Sequence, residues 1–314
     1  MRRRTFLATT AGAAAACASP EAPETPQAPE PLAVVDTHIH LFDTEREQGI
    51  PWPPKDDPIK YQRTLPDRFR ATTQAADVEG LEIEGAIAVE ASPWLEDNRW
   101  LLEAANTDPI MVGVVGNLEP GTDDFAPMLE ELAADPLFKG IRSGNLWGRD
   151  FHAGVQSEAY VADIRRLAEA GLSLDSANPS VGLLEDVISL TDQVPELTVV
   201  LDHLPKLFPP PEQTERYQAV LQEIQGRPRI FVKVSAVLRQ GEGYELETYR
   251  EKLDEMWETF GEDRVLFGSD WPNSLPLGEY GQVLGIVADY FAEKTEEQRA
   301  KYFRVNATRA YRLG

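Results

Sequence analysis

Eight short apolar runs, separated by stretches with helical spacing, constrain this chain more than any other feature. The runs are Ala33–His38, Ala86–Glu90, Met111–Val115, Gly140–Ser143, Leu172–Asp175, Thr198–Asp202, Ile230–Val234 and Val265–Gly268. They carry Val, Ile or Leu, as strands buried on both faces do. Trp94–Asn106, Phe125–Ala134, Ser157–Ala170, Val181–Asp192, Glu212–Gln225 and Glu245–Phe260 mix apolar and charged residues at the helical period. Gly171 and Gly261 stand where two of these helices must stop. The alternation predicts an α/β protein with a single (β/α)8 TIM barrel over residues 33–314. An open doubly wound sheet is the alternative, but no glycine-rich phosphate turn follows any run.

The chain starts differently. Arg3-Arg4-Thr5-Phe6-Leu7 resembles a twin-arginine export signal, and Leu7–Ala16 is too short to remain across a bilayer. Ala14-Ala15-Ala16-Cys17 fits a lipoprotein processing box, with Ala14 where leucine is usual. Ala16-Cys17-Ala18 also fits an ordinary cleavage site. Residues 1–18 are thus expected to be a signal, with Cys17 as the lipidation site. Residues 19–32, rich in Pro, Glu and Ala, form a tether that cannot bury a core. The expected location is exported, periplasmic or otherwise extracytoplasmic, with the membrane touched only through this anchor. Cys17 is the one cysteine, which excludes an intramolecular disulfide and a cysteine metal site. The net charge of −23 argues against nucleic acid as a partner. Self-association as a homo-oligomer stays open.

Barrel active sites lie at the carboxyl ends of the strands. There the first run supplies His38 and His40, two apart and so on one face, half of the four histidines in the chain. The second supplies Glu90, the fourth Arg142, and the sixth His203 and Lys206. The seventh supplies Lys233 and Ser235, and the eighth Asp270 and Trp271. Convergence of histidines and an acid from remote segments is the pattern of a metal centre. The long connection Leu41–Pro66, with five prolines, Trp52 and Tyr61, would overhang that rim as a lid. Trp94, Trp100, Trp147 and Trp257 are read as packing, and His152 as a solvated loop residue.

These segments carry a resemblance. Val35-Asp36-Thr37-His38-Ile39-His40, Lys139-Gly140-Ile141-Arg142, Leu201-Asp202-His203-Leu204-Pro205-Lys206, Val232-Lys233-Val234-Ser235 and Phe267-Gly268-Ser269-Asp270-Trp271-Pro272 resemble the amidohydrolase-related branch of the metal-dependent hydrolases. That branch includes sugar-acid lactonases, a pyrone-dicarboxylate lactonase and aromatic-acid decarboxylases. The resemblance implies one divalent ion, most plausibly Zn2+, held by His38, His40 and Asp270. Glu90 is either a further ligand or a partner for Lys233. Asp270 would take the proton of an activated water, and His203 would polarise a carbonyl or complete the metal shell. Arg142, Lys206 and Trp271 would contact substrate. Lys233, supported by Ser235, needs a buried carboxylate, from Glu90, Asp36 or Asp270. No histidine ends strand five and no lysine sits at the end of strand four, so a binuclear centre is not expected. A metal-free route, with Asp270 and the histidines activating water directly, is the alternative. The expected activity is hydrolysis of a sugar-acid or carboxylated lactone, a small carbonyl substrate. The rivals are a zinc-dependent decarboxylase and a non-catalytic binding lipoprotein. The anchor is tested by Cys17→Ser, which should move the protein from the membrane fraction to the soluble one; unchanged membrane association refutes lipidation.

Overall fold

The computed structural model describes residues 30–76 and 78–314; Cys17, the export signal and most of the tether lie outside them. Eight strands pair in parallel in sequence order among the described residues. They are β1 Leu32–Ile39, β2 Leu81–Val89, β3 Met111–Gly116, β4 Phe138–Gly144, β5 Ser173–Ala177, β6 Thr198–Leu201, β7 Ile230–Val234 and β8 Val265–Phe267. The ring closes where Ile39 bridges Trp271; there Asp270 N donates to His38 O at 2.9 Å and His40 N to Trp271 O at 2.8 Å. The structure is therefore a TIM barrel, as the alternation predicts.

Helices α1 Pro66–Ala76, α2 Asp97–Ala105, α3 Phe125–Leu132, α4 Phe151–Val155, α5 Glu158–Glu169, α6 Val181–Gln193, α7 Thr214–Gln225, α8 Leu246–Phe260 and α9 Tyr280–Ala292 lie between and after the strands. α10 Glu296–Ala300 and α11 Asn306–Tyr311 end the chain. Several elements escape the sequence reading for physical reasons. β2 starts at Leu81 because Glu82 and Glu84 alternate outward, so its first half is not an apolar run. α1 buries only Pro66 and Phe69 and has no apolar stripe. α9 buries seven residues of thirteen and has little polar face to mark its period.

Two apolar layers hold the fold. The larger lies between strands and helices, where Leu174, Leu201, Val232 and Phe267 meet Leu184, Leu221, Leu253 and Phe291. The smaller fills the barrel: Val35, Ile87, Val115, Val200, Phe231 and Leu266 pack with Ala307, Ala310 and Tyr311 of α11.

Above this plug sits a layer of charge. Lys233 is fully buried, and its Nζ donates to Asp175 Oδ2 at 2.6 Å and lies 3.1 Å from Asp202 Oδ1. Tyr311 Oη donates to Asp175 Oδ2 at 2.7 Å. The expected partners of Lys233, namely Glu90, Asp36 and Asp270, are thus replaced by Asp175 and Asp202. The expected acids are engaged elsewhere: Glu90 by Arg142, Asp36 by His38 N, Ser269 N and Tyr280, and Asp270 by the imidazoles at the rim. Burial pushes Asp175 up to about 6. Burial would raise Asp202 as well, but Lys233 and His38 hold it well below the usual carboxylate range. Lys233→Met leaves two buried carboxylates without their cation. It should destabilise the protein by about 3–5 kcal/mol, read from the urea midpoint at constant m; a loss below about 1 kcal/mol would show the layer to be structurally indifferent.

Candidate active site

The carboxyl end of the barrel collects the histidines. His38 and His40 come from the end of β1, with ring centroids 4.9 Å apart. His203 follows β6, and its ring lies 4.4 Å from that of His38. Asp270 follows β8. Its Oδ1 is 3.5 Å from His40 Nε2, 3.8 Å from His38 Nε2 and 3.9 Å from His203 Nε2. All four residues are buried.

Their hydrogen bonds orient the rings. His40 Nδ1 lies 2.9 Å from the Val89 carbonyl. A carbonyl only accepts, so Nδ1 carries the proton and Nε2 presents a lone pair toward Asp270. His203 Nδ1 pairs with Ser235 Oγ at 2.8 Å, which gives Ser235 a ring-orienting contact. His38 Nδ1 lies between Lys233 Nζ, at 3.3 Å, and Asp202 Oδ1, at 3.5 Å. Among the described residues neither His38 Nε2 nor Asp270 Oδ1 has a hydrogen-bond partner. Unpartnered buried polar atoms facing one another leave room for a cation, and His38, His40 and Asp270 have the donor set and mutual spacing for one. His203 faces the same carboxylate oxygen from the other side.

Asp36 builds the clasp underneath. Its Oδ1 accepts from His38 N at 3.1 Å and from Ser269 N at 2.9 Å, and its Oδ2 accepts from Tyr280 Oη at 3.1 Å. One carboxylate thus ties the ends of β1 and β8 together. Its residue type was visible in the sequence, but its bonding to Ser269 and Tyr280 was not, because these partners lie more than 230 positions away.

Other expected residues fall differently. Glu90 is not positioned as a metal ligand: its carboxylate accepts from Arg142 Nε at 2.8 Å, Trp147 Nε1 at 3.1 Å and Ser92 N at 3.0 Å. Arg142 reaches the cavity wall, but Glu90 engages its guanidinium through both carboxylate and backbone carbonyl. Trp271 does not contact substrate space. It is fully buried against Phe69, with the Arg68 guanidinium over its ring. The strand pairing of Ile39 with Trp271 turns that side chain away from the mouth. His152 lies on α4, exposed and paired with Asp186 at 2.7 Å.

A cavity of about 270 Å³ opens over the cluster, lined by His40, Trp52, Arg142, Trp147, His203, Lys206, Asp270 and Asn273, among others. Trp52 comes from the Leu41–Pro66 connection and packs edge-on against His40 at 5.6 Å. Trp147, read from sequence as packing, is a cavity wall. Backbone strain marks the same rim: Trp147, Asn178, His203, Ala236 and Asp270, one after each of β4 to β8, all have φ between 49° and 59°. Such conformations cost energy in non-glycine residues and cluster where side chains must be aimed.

Burial favours the neutral ring at His203 and His38. Burial pulls His203 down to about 4 and His38 well below its ordinary value. Burial would raise Asp270, whereas positive charge at His203, His40 and His38 draws its carboxyl down.

An amidohydrolase family model matches residues 35–313. An L-fucono-1,5-lactonase of Burkholderia ambifaria is 24% identical over 291 residues, covering 89% of this chain and 95% of that protein. Among solved structures, an amidohydrolase from Burkholderia multivorans with bound zinc superposes with a TM-score of 0.75 at 24% identity, covering 90% of this chain and all of that one. At greater distance, a 5-carboxyvanillate decarboxylase from Sphingomonas paucimobilis has a TM-score of 0.61 at 12% identity, covering 90% of this chain and 99% of that one.

The pH dependence follows from His203. Its folded value near 4 lies below the ordinary 6.5, so the unfolded chain binds more protons between these values. Its contribution to stability is complete above about 6.5 and is lost as pH falls toward 4. Denaturation at pH 7 and pH 5 should therefore show a fall on acidification, and His203→Gln should make it shallower; an identical slope in the variant would contradict the buried neutral ring.

Proposed function

The chain belongs to the amidohydrolase family of hydrolases, and on that premise we propose that it is a metal-dependent lactonase opening a small cyclic ester. The observation that carries this reading is the set of imidazole Nε2 atoms facing one unpartnered oxygen of Asp270 at 3.5–3.9 Å. A divalent cation, Zn2+ by donor type, would be held by His38, His40 and Asp270, where it would polarise a carbonyl and acidify water.

The chain's own groups supply the rest. Asp270 is the proton acceptor, steadied by Asn273 Nδ2 at 2.9 Å from its Oδ2. His203, neutral above about 4, directs its Nε2 at the same position and orients the carbonyl or the leaving oxygen. Ser235 fixes that ring. Arg142, braced by Glu90, borders the cavity as a rigid cationic wall. Trp52 and Trp147 give the ring flat apolar faces and exclude water from it. The lactone preference draws on the lactonase relative named above; a decarboxylase would use the same scaffold without needing a water nucleophile.

A lactone panel followed by proton release, with metal content measured on the same sample, tests the proposal. The expected result is hydrolysis, about one transition-metal ion per chain, and loss of activity on chelation with recovery on adding Zn2+. Asp270→Asn should lower kcat by about 10²–10⁴-fold with unchanged thermal stability of the metal-free protein. CO2 release from aromatic or unsaturated acids without lactone hydrolysis would overturn it in favour of decarboxylation.

A further inference from the structure

The connection after β1 is closed at its neck by the Phe42–Thr64 bridge, where each backbone N donates to the other residue's carbonyl at 2.9 Å. Between these two residues the chain forms no helix or strand. A loop of this length tied only at its neck would move as a flap. A second tie lies farther out. Glu45 and Glu47 are exposed, but Arg46 between them turns inward, and its side chain is only 9% exposed. Its guanidinium pairs with Asp97, the first residue of α2, and lies 4.6 Å over the ring of Trp100, one helical turn on. Among the described residues this is the one ion pair that joins residues 43–63 to the rest of the barrel.

Asp97 is buried at the amino end of α2, which favours its carboxylate. Trp100 stands on the same side of that helix, because i and i+3 positions are neighbours. An arginine can pair with the one through its edge and lie flat on the other. Burying such a pair adds little net stability, because desolvation of both charges offsets their attraction. What it fixes is register, since the guanidinium has one place to sit. The same loop carries Trp52, whose ring stands edge-on to His40 at 5.6 Å and to Phe42 at 5.7 Å. Trp52 lines both the cavity over the histidines and a narrow cleft lined also by Arg46, Asp97 and Trp100. One indole thus separates the site from the pin.

We propose that Arg46 is a positioning residue: by pinning the loop to Asp97 and Trp100, it keeps Trp52 against His40 as a wall of the active cavity. Arg46 itself does not line that cavity. Without the pin the loop divides its time between closed and open forms. A ligand that needs the Trp52 wall then binds more weakly in proportion to the closed fraction, while the bound complex is unchanged. The kinetic consequence rests on the lactonase reading; the placement of Trp52 does not.

The first arm of the test reads Trp52 without turnover. With 5-fluorotryptophan in the full chain, Trp52→Phe assigns the Trp52 fluorine signal, and a soluble gadolinium chelate reports its exposure. Arg46→Met should raise the relaxation of that signal by about threefold or more, as should Asp97→Asn. The double variant should match the single ones, as two halves of one contact do. It leaves no stranded charge, so it serves where a single variant fails to fold. Arg46→Lys keeps the charge without the flat face and should fall between. An unmoved Trp52 signal in the folded double variant overturns the proposal. The second arm uses the lactone that the panel above shows to be hydrolysed fastest. Arg46→Met should raise KM by about 3–10-fold with kcat nearly unchanged, and should add nothing in a Trp52→Ala background. A full further rise in that background overturns the proposal, because Arg46 would then act by another route. Release of Trp52 without turnover of any lactone upholds the pin and refutes the lactonase. Lactone turnover with Trp52 unmoved refutes the pin and leaves the lactonase standing.

Discussion

The site depends on how the barrel closes. The first and last strands meet through two backbone hydrogen bonds, Asp270 N to His38 O and His40 N to Trp271 O. These bonds set the distance between the histidines of β1 and the carboxylate after β8. Asp36 reinforces the same seam by accepting from His38 N and Ser269 N. Closure and site assembly are therefore one event. A barrel that opened at this seam would expose two strand edges and lose its His–Asp cluster together. Gly268 shows how tight the seam is: a Cβ placed there would come within 2.9 Å of His38 Cβ. A side chain at this position would push the histidine off its strand.

Much of this was legible because strand ends are local. An apolar run followed by His, Asp or Arg names both an element and its rim residue, so His38, His40, His203 and Asp270 could be read together. What the sequence hides is pairing between distant segments. Glu90 reads equally as a ligand or a counter-ion, and only the fold brings Arg142, Trp147 and Ser92 around it. Lys233 demands a carboxylate, but choosing Asp175 and Asp202 requires knowing which strands are neighbours. Trp271 shares a motif with Asp270, yet the backbone turns at Asp270, with φ of 59°, and aims the two side chains apart. Positive φ at a non-glycine residue leaves no mark in composition.

The long connection after β1 illustrates the same division. Proline density over residues 41–66 identifies an irregular connection, and its position after β1 puts it at the active end. Its contribution is carried by individual side chains. Trp52 reaches His40, and Lys60 lies 5.6 Å from the Trp52 ring. The antiparallel bridge between Phe42 and Thr64 pinches the base of the loop, so both are delivered from a tied structure.

Charge balance at the mouth supports a bound cation independently of resemblance. The buried carboxyls of the inner barrel and rim are Asp36, Glu90, Asp175, Asp202 and Asp270, against Arg142 and Lys233 as permanent buried cations. Glu90 is matched by Arg142 and Asp202 by Lys233. Asp36 and Asp175, pushed up to about 6, ease their own excess by binding protons more readily. Asp270 remains. Protonated imidazoles could hold it ionised, but burial drives His203 and His38 toward the neutral form at neutral pH. Neutral rings whose lone pairs face the carboxylate do not neutralise it. Two imidazoles and a carboxylate form a donor set chemically suited to hold positive charge between Nε2 and Oδ1.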